Sequence, residues 1–133
     1  MGSIVIVQPD ASDSWAPAVD AAGHAVQVAS TTRDAMLLVC DGGIDLVIID
    51  TLDPRVGLVD LARKIAALPD APPIVLVSGS PHAPEISARI GAAVFLPKPC
   101  EPAELVAVID RLVGQHRSVR AIEDEPTGPR TQF

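Results

Sequence analysis

Four short apolar runs constrain this chain more than anything else in it: Ile4–Val7, Leu46–Ile49, Ile74–Val77 and Ala93–Leu96. Each is rich in branched residues and too short for a helix, so each reads as a buried strand. A weaker run, Ala25–Ala29, reads as a fifth. No gap between successive runs is short enough for a tight hairpin, and the gaps carry helical patterns instead. Strands alternating with helices predict a parallel sheet covered on both faces and joined by right-handed crossovers. The core must be aliphatic, since 48% of the residues are hydrophobic but only 2% are aromatic.

The helices have legible punctuation. The first starts near Ser14 or Trp15, with Pro17 tolerated in its opening turn, and stops at Gly23. The second is capped by Ser30-Thr31-Thr32 and ends at Asp41-Gly42-Gly43. Leu58, Leu61, Ala62, Ile65 and Leu68 form the apolar stripe of the third, before the Pro69–Pro73 breaker. A short fourth runs from about Pro84 to Ile90, and the fifth opens at Pro102 and stops before Gly114, burying Leu105, Val108, Ile109 and Leu112. Beyond this point the composition turns polar and lacks a periodic apolar face. The expected organisation is one domain over residues 1–115 and a flexible tail over 116–133.

Composition excludes several functions. A net charge of -7 argues against a phosphate-backbone binder, which needs clustered cations. No apolar run approaches the roughly 20 residues of a membrane span. Cys40 and Cys100 fit neither zinc spacing nor a disulfide framework, as expected of reduced thiols in a cytoplasmic protein. His24, His82 and His116 are scattered and read as solvent-facing.

Ligands of parallel α/β sheets sit at the carboxyl ends of the strands. The residues there are Gln8-Pro9-Asp10, Asp50, Ser78-Gly79 and Pro97-Lys98-Pro99. A carboxylate after the third strand, a hydroxyl after the fourth and an amine after the fifth suit phosphoryl chemistry: a nucleophile, with two groups to bind the phosphoryl oxygens. Singly, Asp50 and Ser78 could equally cap turns. In order on three strand ends, they resemble the receiver domain of bacterial response regulators over roughly the first 115 residues. Phe95-Leu96-Pro97-Lys98-Pro99 is the most specific element of the resemblance, and Lys98 is one of only two lysines.

The resemblance implies a flavodoxin-like (βα)5 fold, a three-layer αβα sandwich with strand order 2-1-3-4-5. It implies Asp50 as phosphoacceptor, Ser78 and Lys98 as its partners, Ser78 and Phe95 as switch residues, and a cis bond before Pro99. A stand-alone receiver without enzymatic turnover would act in a phosphorelay. Its partners would be a sensor histidine kinase and a downstream target on the face made by the fourth helix, fifth strand and fifth helix; a homodimer is also compatible.

Two departures qualify this. Receivers place two adjacent acids after the first strand to help bind Mg²⁺, where this chain has Gln8 and Pro9. Asp10, Asp13 and the Leu52 carbonyl are then the remaining ligand candidates beside Asp50, and weak Mg²⁺ binding is expected. Gly57 also arrives one residue early after Asp50, and Asp53 either adds charge beside Asp50 or caps the third helix. Cys100 reads as a small buried hydrophobe or as a thiol activated by Lys98. Gln8-Pro9 favours a second reading, a phosphorylation-independent pseudo-receiver for docking. A more distant one is a phosphatase of the haloacid dehalogenase type, which Asp50-Thr51-Leu52-Asp53 matches only superficially.

Overall fold

The computed structural model describes residues 2–8, 15–51 and 57–124, with side chains through His116. Its order is β1 (Ser3–Val7), α1 (Ala16–Ala21), β2 (Ala25–Ala29), α2 (Thr32–Cys40), β3 (Leu46–Asp50), α3 (Leu58–Ala66), β4 (Ile74–Ser78), α4 (Ala83–Ile90), β5 (Val94–Pro97) and α5 (Pro102–Asp124). The five strands form one sheet in the order β2-β1-β3-β4-β5, and all pairings are parallel. This is the αβα sandwich and strand order expected from the sequence.

The central strands are apolar on both faces because both faces are covered. Val5, Val7, Val47, Ile49 and Leu76 pack in one cluster with α2, α3 and α4, including Leu61, Ile65 and Ile86. Ile4, Ile6, Ile48, Val75 and Val77 point the other way and pack with α1 and α5, including Trp15, Val19, Leu105 and Ile109. The two sets alternate along each strand, as the pleat requires.

Local signals explain most helix ends. Thr31 caps α2, its Oγ1 accepting from the Asp34 N–H at 3.0 Å. Gly91 ends α4 with φ 67°, a left-handed conformation that glycine adopts at little cost. The N-cap of α3 is Gly57 with φ 74°, a left-handed conformation suited to glycine. Asp53 itself lies outside the described residues.

The largest difference is at α5, which passes through Gly114 and continues to Asp124. The expected boundary between 115 and 116 therefore falls inside a helix. A helix-interior glycine costs about 1 kcal/mol relative to alanine but ends a helix only where the backbone turns left-handed. Gly114 is not among the glycines with positive φ.

Candidate functional site at the carboxyl ends of the strands

The sheet register brings the chemistry-bearing residues to one rim. Asp50 is the last residue of β3 and pairs with Val77, so Ser78 lies one step further along β4, opposite Pro97. The Lys98 N–H donates to the Ser78 carbonyl at 3.2 Å, which ties the residue after β5 to the end of β4. The Lys98–Pro99 peptide is cis.

Asp50 is 3% exposed, and its carboxylate is held by three donors. Lys98 Nζ lies 2.6 Å from Oδ1. Gln8 Nε2 donates to Oδ2 at 3.3 Å, and the Trp15 indole N–H donates to the same oxygen. A buried carboxylate is tolerated only when it is paired and hydrogen-bonded, and both conditions hold here. Lys98 reaches the site from a side chain only 18% exposed, so the pair is screened weakly by solvent.

The other sequence candidates fall differently. Ser78 is fully buried, and its Oγ accepts from the Ser80 N–H at 3.1 Å. Phe95 is half-buried against the cluster under α3 and α4, on the edge strand β5. Asp10, Asp13 and Leu52 lie outside the described residues. The described residues alone do not fit the Mg²⁺ that the family resemblance implies: no group of three or more His, Cys, Asp or Glu among them could hold a metal ion. Asp50 also presents both its oxygens to N–H donors, whereas a hard cation needs several oxygen ligands.

Trp15 is the site residue that sequence reasoning missed. Its position read only as a helix start, and it is the N-cap of α1. The available signal was its being the one tryptophan in a chain nearly free of aromatics. A buried indole needs an acceptor for its N–H, and the nearest rim supplies Asp50.

The histidines correct a second expectation. His24 is buried at 4% exposure, its Nδ1 accepting from the Gly2 N–H at 3.0 Å and its Nε2 lying 2.7 Å from Asp110 Oδ1. His116 is largely buried, with Nδ1 3.5 Å from Asp45 Oδ1. Both stand at the end of the sheet remote from Asp50 and join α5 to the strand edges; only His82 is solvent-facing. Cys100 is half-buried against the α1–α5 cluster, and its thiol is pushed above its usual value by burial first and then by Glu104 and Glu101. Activation by Lys98 is not what its surroundings favour.

Residues 4–110 match the response regulator receiver domain family. Among curated relatives, the chain is 37% identical over 82 residues to the transcriptional regulatory protein PdtaR of Mycobacterium tuberculosis, covering 61% of this chain and 40% of that protein. It is 31% identical over 111 residues to the DNA-binding transcriptional regulator NtrC of Rhizobium meliloti, covering 81% of this chain and 23% of that one. The chain thus spans less than half the length of these relatives. Among solved structures, a CheY-like receiver domain protein from Methanospirillum hungatei superposes with a TM-score of 0.74 at 21% identity, covering 89% of this chain and 98% of the other. No support remains for a haloacid dehalogenase-type phosphatase. The parallel sheet in its 2-1-3-4-5 order and the family match over residues 4–110 agree, and this chain belongs to the response regulator receiver domain family of two-component signalling.

Proposed function

We propose that this receiver domain is a protein-docking signalling module whose phosphoacceptor is Asp50, working in a phosphorelay with a sensor histidine kinase as donor. The observation that carries the reading is the pairing of buried Asp50 with Lys98 at 2.6 Å on the ligand-binding rim of the sheet. A carboxylate oxygen of Asp50 attacks the donor phosphorus, the bond from phosphorus to the donor group breaks, and that group leaves with the electron pair. Lys98 and Ser78 then hold the transferred phosphoryl oxygens. Output runs through the face of α4, β5 and α5, with Phe95 and Ser78 as its switch residues, and no turnover enzyme or direct nucleic-acid contact is involved. The setting is cytoplasmic, consistent with two free cysteines.

A second reading, a phosphorylation-independent docking module, is favoured by one observation: both oxygens of Asp50 already accept N–H donors. Intact-mass spectrometry separates the two. The acceptor reading expects one phosphoryl group per chain from a phosphorylated histidine kinase, slow transfer from acetyl phosphate, and none to Asp50→Asn. A native chain that stays unmodified by either donor sinks it and leaves the docking module.

A further inference from the structure

We propose that Trp15 is a gate on Asp50: its indole occupies the approach to Oδ2, so that a cation or phosphoryl donor reaches the carboxylate only when the indole withdraws. This rests on the reading of Asp50 as acceptor and says what controls that acceptor.

The geometry assigns the indole to this role by elimination at the carboxylate itself. Oδ1 faces Lys98, and Oδ2 accepts from both Trp15 and Gln8. A nucleophilic oxygen must present a lone pair to phosphorus, and an N–H aimed at that oxygen occupies it. A cation at Oδ2 would also face the positive edge of the indole N–H. Lys98 is an attractive partner for an incoming phosphoryl group, whereas the indole offers an apolar ring with one donor and must move aside. Trp15 is held as a lever would need to be. Its ring, 6% exposed, packs with the cluster beneath α1 and α5, while its backbone caps α1, a helix of only six residues. Moving the indole means withdrawing a buried ring from that cluster at the start of a six-residue helix. A hydrogen bond to a charged group contributes about 1.5–3 kcal/mol, so the gate slows access by about ten- to a hundredfold.

The chain provides its own reporter. Trp15 is the only tryptophan and there is no tyrosine, so intrinsic emission reads the gate directly. The experiment follows phosphoryl mass gain from acetyl phosphate with Mg²⁺ in the native chain, Trp15→Phe, Asp50→Asn and the double variant, with circular dichroism as the fold control. In this step an Asp50 oxygen bonds to phosphorus, the bond from phosphorus to the acetate oxygen breaks, and acetate leaves with the electron pair. The expected result is mass gain about ten- to a hundredfold faster in Trp15→Phe than in the native chain, and none in the double variant. In the native chain, beryllium trifluoride with Mg²⁺ shifts the emission as the indole leaves the carboxylate.

Equal rates in the native chain and a folded Trp15→Phe overturn the gate, as does beryllofluoride binding that leaves the emission unchanged. That second measurement needs no variant and decides the matter if Trp15→Phe does not fold. Modification persisting in the double variant overturns Asp50 as acceptor, and the gate with it. If neither chain is modified by acetyl phosphate or by a phosphorylated histidine kinase, the acceptor reading fails, and titration with Mg²⁺ decides whether the indole blocks the carboxylate. Binding about tenfold tighter in Trp15→Phe supports it, and equal affinity overturns it.

Discussion

At the scale of single residues, the unusual feature is a lone described carboxylate surrounded by donors. Lys98, Gln8 and Trp15 all donate to the Asp50 carboxylate, so deleting the ammonium leaves a buried carboxylate with two neutral donors. Breaking a buried ion pair from one side costs about 3–5 kcal/mol, and the surviving donors put Lys98→Ala at the low end, about 3 kcal/mol. The Tm of Lys98→Ala is expected to fall by about 10 °C, and that of Asp50→Asn by a comparable amount, because the single amide oxygen accepts on one side only while the NH2 group meets N–H donors on the other. A Lys98→Ala chain as stable as the native one would show the pair to be incidental.

Cys100 makes the opposite kind of statement. Burial and the carboxylates Glu104 and Glu101 disfavour its thiolate, so the folded chain holds its proton to higher pH than the unfolded chain does. Over the interval between the unfolded and folded values the native state binds more protons, and stability falls as pH rises through it. Peptide-resolved alkylation by iodoacetamide at pH 8 is expected to be slower at Cys100 in the folded chain than in urea, with the gap narrowing as pH climbs. Faster alkylation when folded would restore the idea that Lys98 activates it.

At the scale of elements, α5 and the neighbourhood of α1 set the behaviour of the domain. α5 buries Leu105, Ile109, Leu112 and Val113 and carries Asp110 and His116 to polar partners on the sheet side, His24 and Asp45. Cutting after Gln115 removes His116 from Asp45 and ends the helix one residue after Gly114, its weakest point. The expected cost is about 1 kcal/mol, seen as a fall of about 4 °C in Tm. An unchanged Tm would show that helix after Gln115 adds nothing to the fold.

At the scale of the whole molecule, cation binding is linked to folding by mass action. A ligand that binds only the native state stabilises it by RT ln(1 + [L]/Kd), about 0.4 kcal/mol when its concentration equals Kd. With a single carboxylate among the described site residues, Mg²⁺ is proposed to bind weakly. Exchanging EDTA for millimolar Mg²⁺ is then expected to move Tm by no more than about 2 °C. A rise well beyond that would mean that acids outside the described residues, Asp10 or Asp13, complete a strong site.

The aliphatic runs and their spacing determined the parallel sheet, because strands buried on both faces must read as continuous apolar stretches joined by helices. They also placed Asp50, Ser78 and Lys98 at strand ends, which is where a parallel sheet collects its chemistry. What surrounds Asp50 was decided only by the tertiary structure. Trp15 is far from Asp50 in sequence and enters the site through the packing of α1, a contact that no local pattern encodes. The histidines were misread for the same reason. His24 and His116 look like surface residues until the fold brings Asp110 and Asp45 near them; at His24 the distant carboxylate satisfies the buried ring, whereas among the described residues His116 Nδ1 stays without a hydrogen bond, 3.5 Å from Asp45 Oδ1. The end of α5 belongs with these: glycine lowers helix propensity locally, but the backbone at Gly114 does not turn left-handed and the helix runs on to Asp124.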